Sequence, residues 1–90
     1  MKSLRLAGAF KRDLKRISKR GYHRPLLDLV VDALRRGDRL PTACRDHALK
    51  GEWKGSRECH IEPDWLLIYE ITESQILLAR TGTHADLFDT

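Results

Sequence analysis

The sequence contains few cysteines and no long apolar segment. Cys44 and Cys59 are its two cysteines; their spacing matches no metal-binding motif, and two are too few for a disulfide scaffold. No apolar run approaches the roughly 20 residues that a membrane-spanning helix requires. The basic first residues are not followed by the apolar segment of a signal peptide. These absences predict a cytoplasmic protein with reduced cysteines and no membrane partner, and the length of 90 residues predicts a single domain, residues 1–90.

Acidic residues are scarce in the first third of the chain. Residues 2–24 contain many Lys and Arg but only one acid, Asp13, while most acids lie in the C-terminal half. The net charge is only +4, so the position of the charges matters more than their sum. This asymmetry predicts that a polyanion or an acidic protein binds the N-terminal third.

The first half of the chain predicts two amphipathic helices. Apolar residues recur at helical spacing within residues 9–20, and Gly21 follows as a helix-ending residue. A second helix is predicted to begin near Pro25 and to end at Gly37. The predicted buried positions are Phe10, Leu14, Ile17, Leu26, Leu27, Val30, Ala33 and Leu34. Residues 3–7 suit a short edge strand ahead of these helices.

The second half predicts three strands. Residues 57–62 alternate in polarity, with His60 and Glu58 on one face, and residues 65–71 are nearly all apolar, as in a strand buried on both sides. Pro63 and Asp64 suit the tight turn between them, which would place His60 and Asp64 at one rim of the sheet. Residues 75–80 form the third predicted strand. Two helices followed by strands predict an α+β fold.

Two further segments complete the pattern. Residues 37–55 are predicted to be irregular, with Leu40, Leu49 and Trp53 as anchors into the core. Thr81 and Gly82 are predicted to end the third strand. Thr83 then suits the cap of a short helical turn, with Asp86 three residues later, and that turn would present His84.

Metal and nucleophile chemistry find little support in this sequence. His47, His60, His84 and Asp64 are possible zinc ligands, but no pair of histidines has the i, i+4 spacing of a metalloprotease motif. His60-Ile61-Glu62 matches one half of a zinc deaminase signature, whose P-C-x-x-C half is missing. No serine stands in a G-x-S-x-G motif, and Cys59 is predicted on the opposite strand face from His60.

Metal-free cleavage of RNA fits the residues better. This reaction needs a base for the 2′-hydroxyl proton, an acid for the leaving 5′-oxygen, and cations near the phosphorus. Histidine can serve either proton role near neutral pH. Arg80 could stabilise charge on the phosphate, and Trp65 or Phe88 could stack on an exposed base.

Three motifs resemble the YafQ branch of the RelE/ParE toxin superfamily. They are L-x-G-x-W-K-G-x-R at residues 49–57, H-I-E-P-D-W-L-L-I-Y at residues 60–69 and R-T-G-T-H-A-D-L-F at residues 80–88. The resemblance covers the C-terminal half motif by motif, and the N-terminal half agrees in its layout of two helices.

The resemblance implies a fold and a function. The implied fold has two N-terminal helices packed on a twisted, mainly antiparallel sheet of three to five strands, with a short C-terminal helical turn. The implied function is that of a type II toxin that enters the ribosomal A site and cuts messenger RNA without a metal or other cofactor. The implied partners are a cognate antitoxin protein, ribosomal RNA and messenger RNA.

The resemblance also implies roles for individual residues. His84 is the principal proton-transfer residue, and the assisting residues are His60, Asp64 and His47. The implied RNA-binding residues are Arg80, which holds the scissile phosphate, and Phe88 and Trp65, which complete the pocket. The basic side chains of the first helix are a further candidate contact for ribosomal RNA, with antitoxin acids as a competing occupant, or else a solvated face. These residues, the basic flank, are Lys11, Arg12, Lys15, Arg16, Lys19 and Arg20.

Two other functions remain open from the sequence. ParE-type relatives act by binding DNA gyrase and lack such a set of histidines. A basic RNA-binding module without turnover would use the basic flank alone.

Overall fold

A mixed five-stranded sheet forms the centre of the protein, whose computed structural model describes residues 1–88. Its strands are β1 (Ser3–Leu6), β2 (His47–Ala48), β3 (Arg57–Glu62), β4 (Trp65–Ile71) and β5 (Gln75–Gly82). The spatial order is β1-β5-β4-β3-β2; β1 pairs with β5 in parallel, and the other three pairs are antiparallel. Residues 89 and 90 of the predicted domain lie outside the described residues.

Three helices accompany the sheet: α1 (Gly8–Lys19), α2 (Arg24–Arg36) and α3 (His84–Phe88). The predicted α+β class and the mainly antiparallel sheet are confirmed. Gly21 and Gly37 follow α1 and α2 with a φ of 78° each, the left-handed conformation that glycine adopts most readily. No helix within residues 1–88 is both long and apolar enough to cross a membrane.

The central strand β4 is buried on both faces, as its apolar run predicts. On one face, Trp65, Leu67 and Tyr69 pack in the main core with apolar side chains of α1 and α2. On the other face, Leu66 and Ile68 form a smaller core with residues of α3 and of the loop before β3. Two cores therefore hold β4, and with it the β3–β4 turn that precedes this strand.

Asp13 is buried, although in the sequence it stands out only as the single acid of a basic segment. Its residue is 1% exposed. Its carboxylate accepts hydrogen bonds from Arg80 Nε at 2.7 Å and Nη2 at 3.1 Å, from the Thr81 backbone N–H at 3.1 Å, and from Arg16 at 3.3 Å. Several donors compensate for the burial of this charge. Asp13 thereby fixes α1 to the end of β5.

The predicted end of the third strand at Thr81 and Gly82 is wrong, because β5 continues through Gly82. Thr81 is fully buried: its hydroxyl donates to the Leu66 carbonyl at 2.7 Å and accepts from the Trp65 indole N–H at 2.9 Å. Buried hydrogen bonds therefore hold in the sheet a residue that local propensity assigns to a break. A Cβ at Gly82 would lie 2.9 Å from an Asp86 oxygen, so the close approach of α3 requires glycine there.

The irregular segment before β3 contains more order than its sequence predicts. Leu40 is buried, and Leu49 and Trp53 pack against the smaller core, as predicted. The segment also forms two 3-10 turns, Thr42–Cys44 and Gly51–Trp53, and the short strand β2. Strand β2 pairs His47 with Glu58 of β3, and this register brings a loop histidine to the sheet.

Replacing Asp13 with Ala is expected to lower the free energy of unfolding by about 3–5 kcal/mol, because Arg80 would be left without its buried partner. Urea denaturation followed by circular dichroism measures this change. Asp28→Ala is the matched control: its ion pair with Arg24 on α2 is more than half exposed on both sides, so its loss should cost about 0–1 kcal/mol. Equal effects of the two substitutions would contradict the role of Asp13.

Candidate functional site

Asp64 and His84 connect the β3–β4 turn with the first residue of α3. One oxygen of the Asp64 carboxylate accepts a hydrogen bond from the His84 backbone N–H at 3.0 Å and from its Nδ1 at 2.7 Å. The hydrogen bonds from the backbone and side chain of His84 lower the pKa of Asp64 below its usual value, so the carboxylate is ionised at neutral pH. An ionised carboxylate only accepts hydrogen bonds, which places the proton of neutral His84 on Nδ1. The Nε2 of His84 is then the nitrogen that can take up or release a proton.

His60 lies beside His84 at the mouth of a cleft. The two ring centroids are 5.6 Å apart, with the rings inclined by 61°. The cleft has a volume of about 530 Å³, and its walls include both histidines, Cys44, Arg45 and Glu62. The sequence predicts His60 and Asp64 at one rim of the sheet; in the structure His84 lies between them, bonded to Asp64 and beside His60.

Glu58 is a member of this cluster that the sequence analysis did not propose. Its side chain is only 7% exposed, and its Oε2 lies 3.1 Å from His47 Nε2 and 3.9 Å from His60 Nε2. Strand alternation places Glu58 and His60 on the same face of β3. That alternation was visible in the sequence, but the pairing with β2 that brings His47 to Glu58 was not.

A backbone carbonyl and the contacts of the neighbouring Asp46 hold His47 in the cluster. Its Nδ1 lies 2.7 Å from the Arg45 carbonyl, which can only accept, so Nδ1 donates. The neighbouring Asp46 accepts hydrogen bonds from the Tyr69 hydroxyl at 2.6 Å and from Arg57 Nε at 3.2 Å. These contacts fix the loop to β3 and β4, and both ring nitrogens of His47 face oxygen acceptors.

A second carboxylate positions the helix that carries His84. Asp86 accepts from the Thr83 backbone N–H at 3.0 Å, and the Thr83 hydroxyl accepts from the Asp86 N–H at 3.1 Å, which confirms the predicted capping pair. Arg20 donates two hydrogen bonds to Asp86, at 2.6 and 3.1 Å. The Arg20 guanidinium holds the pKa of Asp86 well below its usual range. The end of α1 is thereby linked to α3.

Arg80 and Phe88 lie outside the cleft walls. Two nitrogens of the Arg80 guanidinium donate to Asp13, on the sheet face that α1 covers. Phe88 is half-buried and packs against the smaller core behind α3. The phosphate-binding role of Arg80 and the role of Phe88 in RNA binding stay predictions.

Trp65 is a core residue, and its assignment to an RNA-binding surface is corrected. Only 1% of the residue is exposed. Its indole N–H donates to Thr81, and its ring packs edge-on against Tyr22 with centroids 5.0 Å apart. No ring face is accessible to a base, because both sides of this position are covered by protein.

Among residues 1–88, the thiols and the candidate metal ligands form no second site. Cys44 and Cys59 are both free, and burial raises the pKa of the Cys59 thiol far above its usual value. Cys59 therefore stays protonated and is a poor nucleophile. Within residues 1–88, no three His, Cys, Asp or Glu side chains are grouped so that they could hold a metal ion.

The basic flank lies on the exposed side of α1. Two of its members turn toward acids of the protein: Arg16 toward Asp13, and Arg20 toward Asp86. In the part of the chain that the structure describes, no carboxylate lies within ion-pair distance of the other four members, Lys11, Arg12, Lys15 and Lys19. Their charges face solvent.

Known proteins are similar to this chain in sequence and in fold. The sequence profile of a family described as "Bacterial toxin of type II toxin-antitoxin system, YafQ" matches residues 2–89. The mRNA interferase toxin YafQ of Escherichia coli (strain K12) is 39% identical over 88 residues, which are 97% of this chain and 96% of that protein. The crystal structure of YafQ from E. coli strain BL21(DE3) has a TM-score of 0.92 at 37% identity and covers 98% of this chain and 99% of that one.

A further similar structure contains a partner. The E. coli DinJ-YafQ toxin–antitoxin complex matches with a TM-score of 0.90 at 39% identity, over 97% of this chain and 97% of that chain. The similarity in sequence and fold extends over almost the whole chain and confirms the resemblance found in its motifs. The chain belongs to the YafQ family of bacterial toxins of type II toxin–antitoxin systems.

Proposed function

We propose that this protein is a ribosome-dependent endoribonuclease that cuts messenger RNA by metal-free acid–base catalysis. The observation that carries the proposal is the placement of His60 and His84 at one cleft, with ring centroids 5.6 Å apart. The name of the E. coli relatives as mRNA interferases supports the same activity.

The proposed reaction divides two proton transfers between imidazoles. A neutral imidazole takes the proton of the 2′-hydroxyl, and the 2′-oxygen attacks the adjacent phosphorus. The P–O5′ bond breaks as the 5′-oxygen receives a proton from an imidazolium. The products are a 2′,3′-cyclic phosphate and a 5′-hydroxyl end, and each well-placed acid or base contributes about 10²–10⁴ in rate.

The carboxylates act by positioning the imidazoles. Asp64 holds the Nδ1 proton of His84, so that Nε2 exchanges protons with the RNA. Glu58 lies between the other two imidazoles, with its Oε2 3.1 Å from His47 Nε2 and 3.9 Å from His60 Nε2.

The partners follow from the charged surface and from the relatives. We assign the free members of the basic flank to ribosomal RNA in the A site, since four unpaired cations along one helix suit a phosphate backbone. The E. coli relative is found in complex with the antitoxin DinJ, and we expect a cognate antitoxin for this chain. With these partners we expect the proposed activity in the cytoplasm.

The histidine cluster favours this function over gyrase binding or RNA binding without turnover. Neither alternative requires two imidazoles and an ionised carboxylate at one cleft. Primer extension on cellular messages after induced expression separates the functions: discrete cuts indicate cleavage, whereas intact messages with DNA damage indicate gyrase as the target.

Replacing His84 with Ala is expected to abolish growth arrest on induction and to lower ribosome-bound mRNA cleavage by about 10²–10⁴-fold, because a proton-transfer group is lost. His23→Ala is the matched control, since His23 is exposed at the start of α2 and is not among the residues that form the walls of the cleft. Full toxicity of a folded His84→Ala variant would refute the assignment.

The pH dependence of cleavage should be bell-shaped between about pH 5 and 8, because one imidazole must be neutral and one protonated. Asp64 should not contribute to either side of this bell-shaped profile. Its pKa is lowered from about 3.8, so it is ionised throughout this range, and its stabilising effect is lost only as the pH falls toward that lowered value. Single-turnover cleavage rates across this range measure the profile, and a flat profile would exclude histidine from one of the two roles.

A further inference from the structure

The histidines of the cleft carry no permanent positive charge, and Arg80 is not among the residues that form its walls. The neighbourhood of the cleft contains the carboxylates of Glu62 in its wall, Asp64 on His84 and Glu58 beside His60. An RNA strand carries one negative charge per nucleotide, and these carboxylates would repel it. Among the residues that form the walls of the cleft, Arg45 is the one with a permanent positive charge.

Arg45 stands at a turn with an uncommon backbone conformation. It ends the 3-10 turn Thr42–Cys44 with φ 49° and ψ 44°, the left-handed region that few non-glycine residues adopt. This conformation directs its carbonyl to His47 Nδ1, 2.7 Å away. Glycine would adopt the same turn with less strain, so the backbone alone gives no reason for a long cationic side chain here.

The guanidinium of Arg45 is available for a ligand. The residue is exposed, and across residues 1–88 no carboxylate lies within 4.0 Å of its nitrogens. Arg80 differs on both counts, because two of its nitrogens are bound to the buried Asp13 and it is absent from the cleft walls. Three further arginines are also paired with acids, namely Arg16, Arg20 and Arg57.

We propose that Arg45 binds a phosphate of the RNA strand in the cleft, next to the bond that is cut. This inference rests on the proposed function and names one substrate contact within it. A guanidinium offers two parallel N–H donors to two phosphate oxygens, which gives charge neutralisation and a fixed orientation together. The same residue orients His47 through its carbonyl, so one position couples RNA binding to the arrangement of the cluster.

The first part of the test compares variants of the full-length protein on programmed ribosomes. Arg45→Gln should lower kcat/KM for mRNA cleavage by about 10-fold or more, because a charge-assisted hydrogen bond is lost. Arg45→Lys, which keeps the charge but not the two parallel donors, should recover only part of that loss. Arg24→Gln removes the same charge from an exposed site on α2 and should leave the rate unchanged. Thermal denaturation of each variant checks that the fold is intact.

The second part asks whether the lost contact is to a phosphate. The strand carries a 2′-deoxy nucleotide at the cleavage position, so it binds without being cut, and single phosphates around that position are replaced in turn by neutral methylphosphonates. For the phosphate that Arg45 contacts, wild type and Arg45→Gln should bind the substituted strand equally well. When any other phosphate is replaced, wild type should still bind the strand more tightly than Arg45→Gln does.

The outcomes separate this inference from the proposed function. If the wild-type protein cuts no ribosome-bound mRNA, the proposed function fails. If the wild-type protein cuts and Arg45→Gln is equally active, the proposed function stands and the role of Arg45 is refuted. A defect of Arg45→Gln that survives at every methylphosphonate position also overturns the phosphate contact, and Arg45→Gly, which relaxes the backbone, then shows whether the effect comes from the turn.

Discussion

The paired hydrogen bonds from His84 to the Asp64 carboxylate are the interaction on which the site depends. They join a turn between two strands to a helix of five residues, and a helix that short has little stability of its own. The position of His84 therefore comes from its contacts. Asp86, bound by Thr83 and Arg20, provides the second anchor and connects α3 to α1.

The buried carboxylate of Asp13 also helps to fix the elements around His84. Asp13 fixes α1 to the end of β5, immediately before Gly82 and the start of α3. Carboxylates on three different elements, namely α1, the β3–β4 turn and α3, thus hold one corner of the molecule. Pre-organisation of this kind would keep the proposed catalytic groups in place before the substrate arrives, so that little reorganisation is needed during the proposed reaction.

Local patterns in the sequence predicted most of the fold. The apolar run of β4, the glycines that follow α1 and α2, and the Thr83–Asp86 cap each depend on neighbouring residues, and each was correct. The errors and omissions involve contacts between distant residues. Thr81 continues a strand because of Trp65, Leu66 and Asp13, and Glu58 joins the cluster because β2 pairs with β3. Spacing alone does not show that Arg80 turns toward α1 while Arg45 lines the cleft.

The chemical ends of the cleaved RNA test the central claim most directly. The claim is that two imidazoles move the protons of an attack by the RNA's own 2′-hydroxyl. Mass spectrometry of fragments from ribosome-bound mRNA should then find a 2′,3′-cyclic phosphate, or the 3′-phosphate formed by its hydrolysis, and a 5′-hydroxyl on the other fragment. Fragments with a 3′-hydroxyl and a 5′-phosphate, or cleavage at a 2′-deoxy nucleotide, would show that water is the nucleophile and would contradict the account.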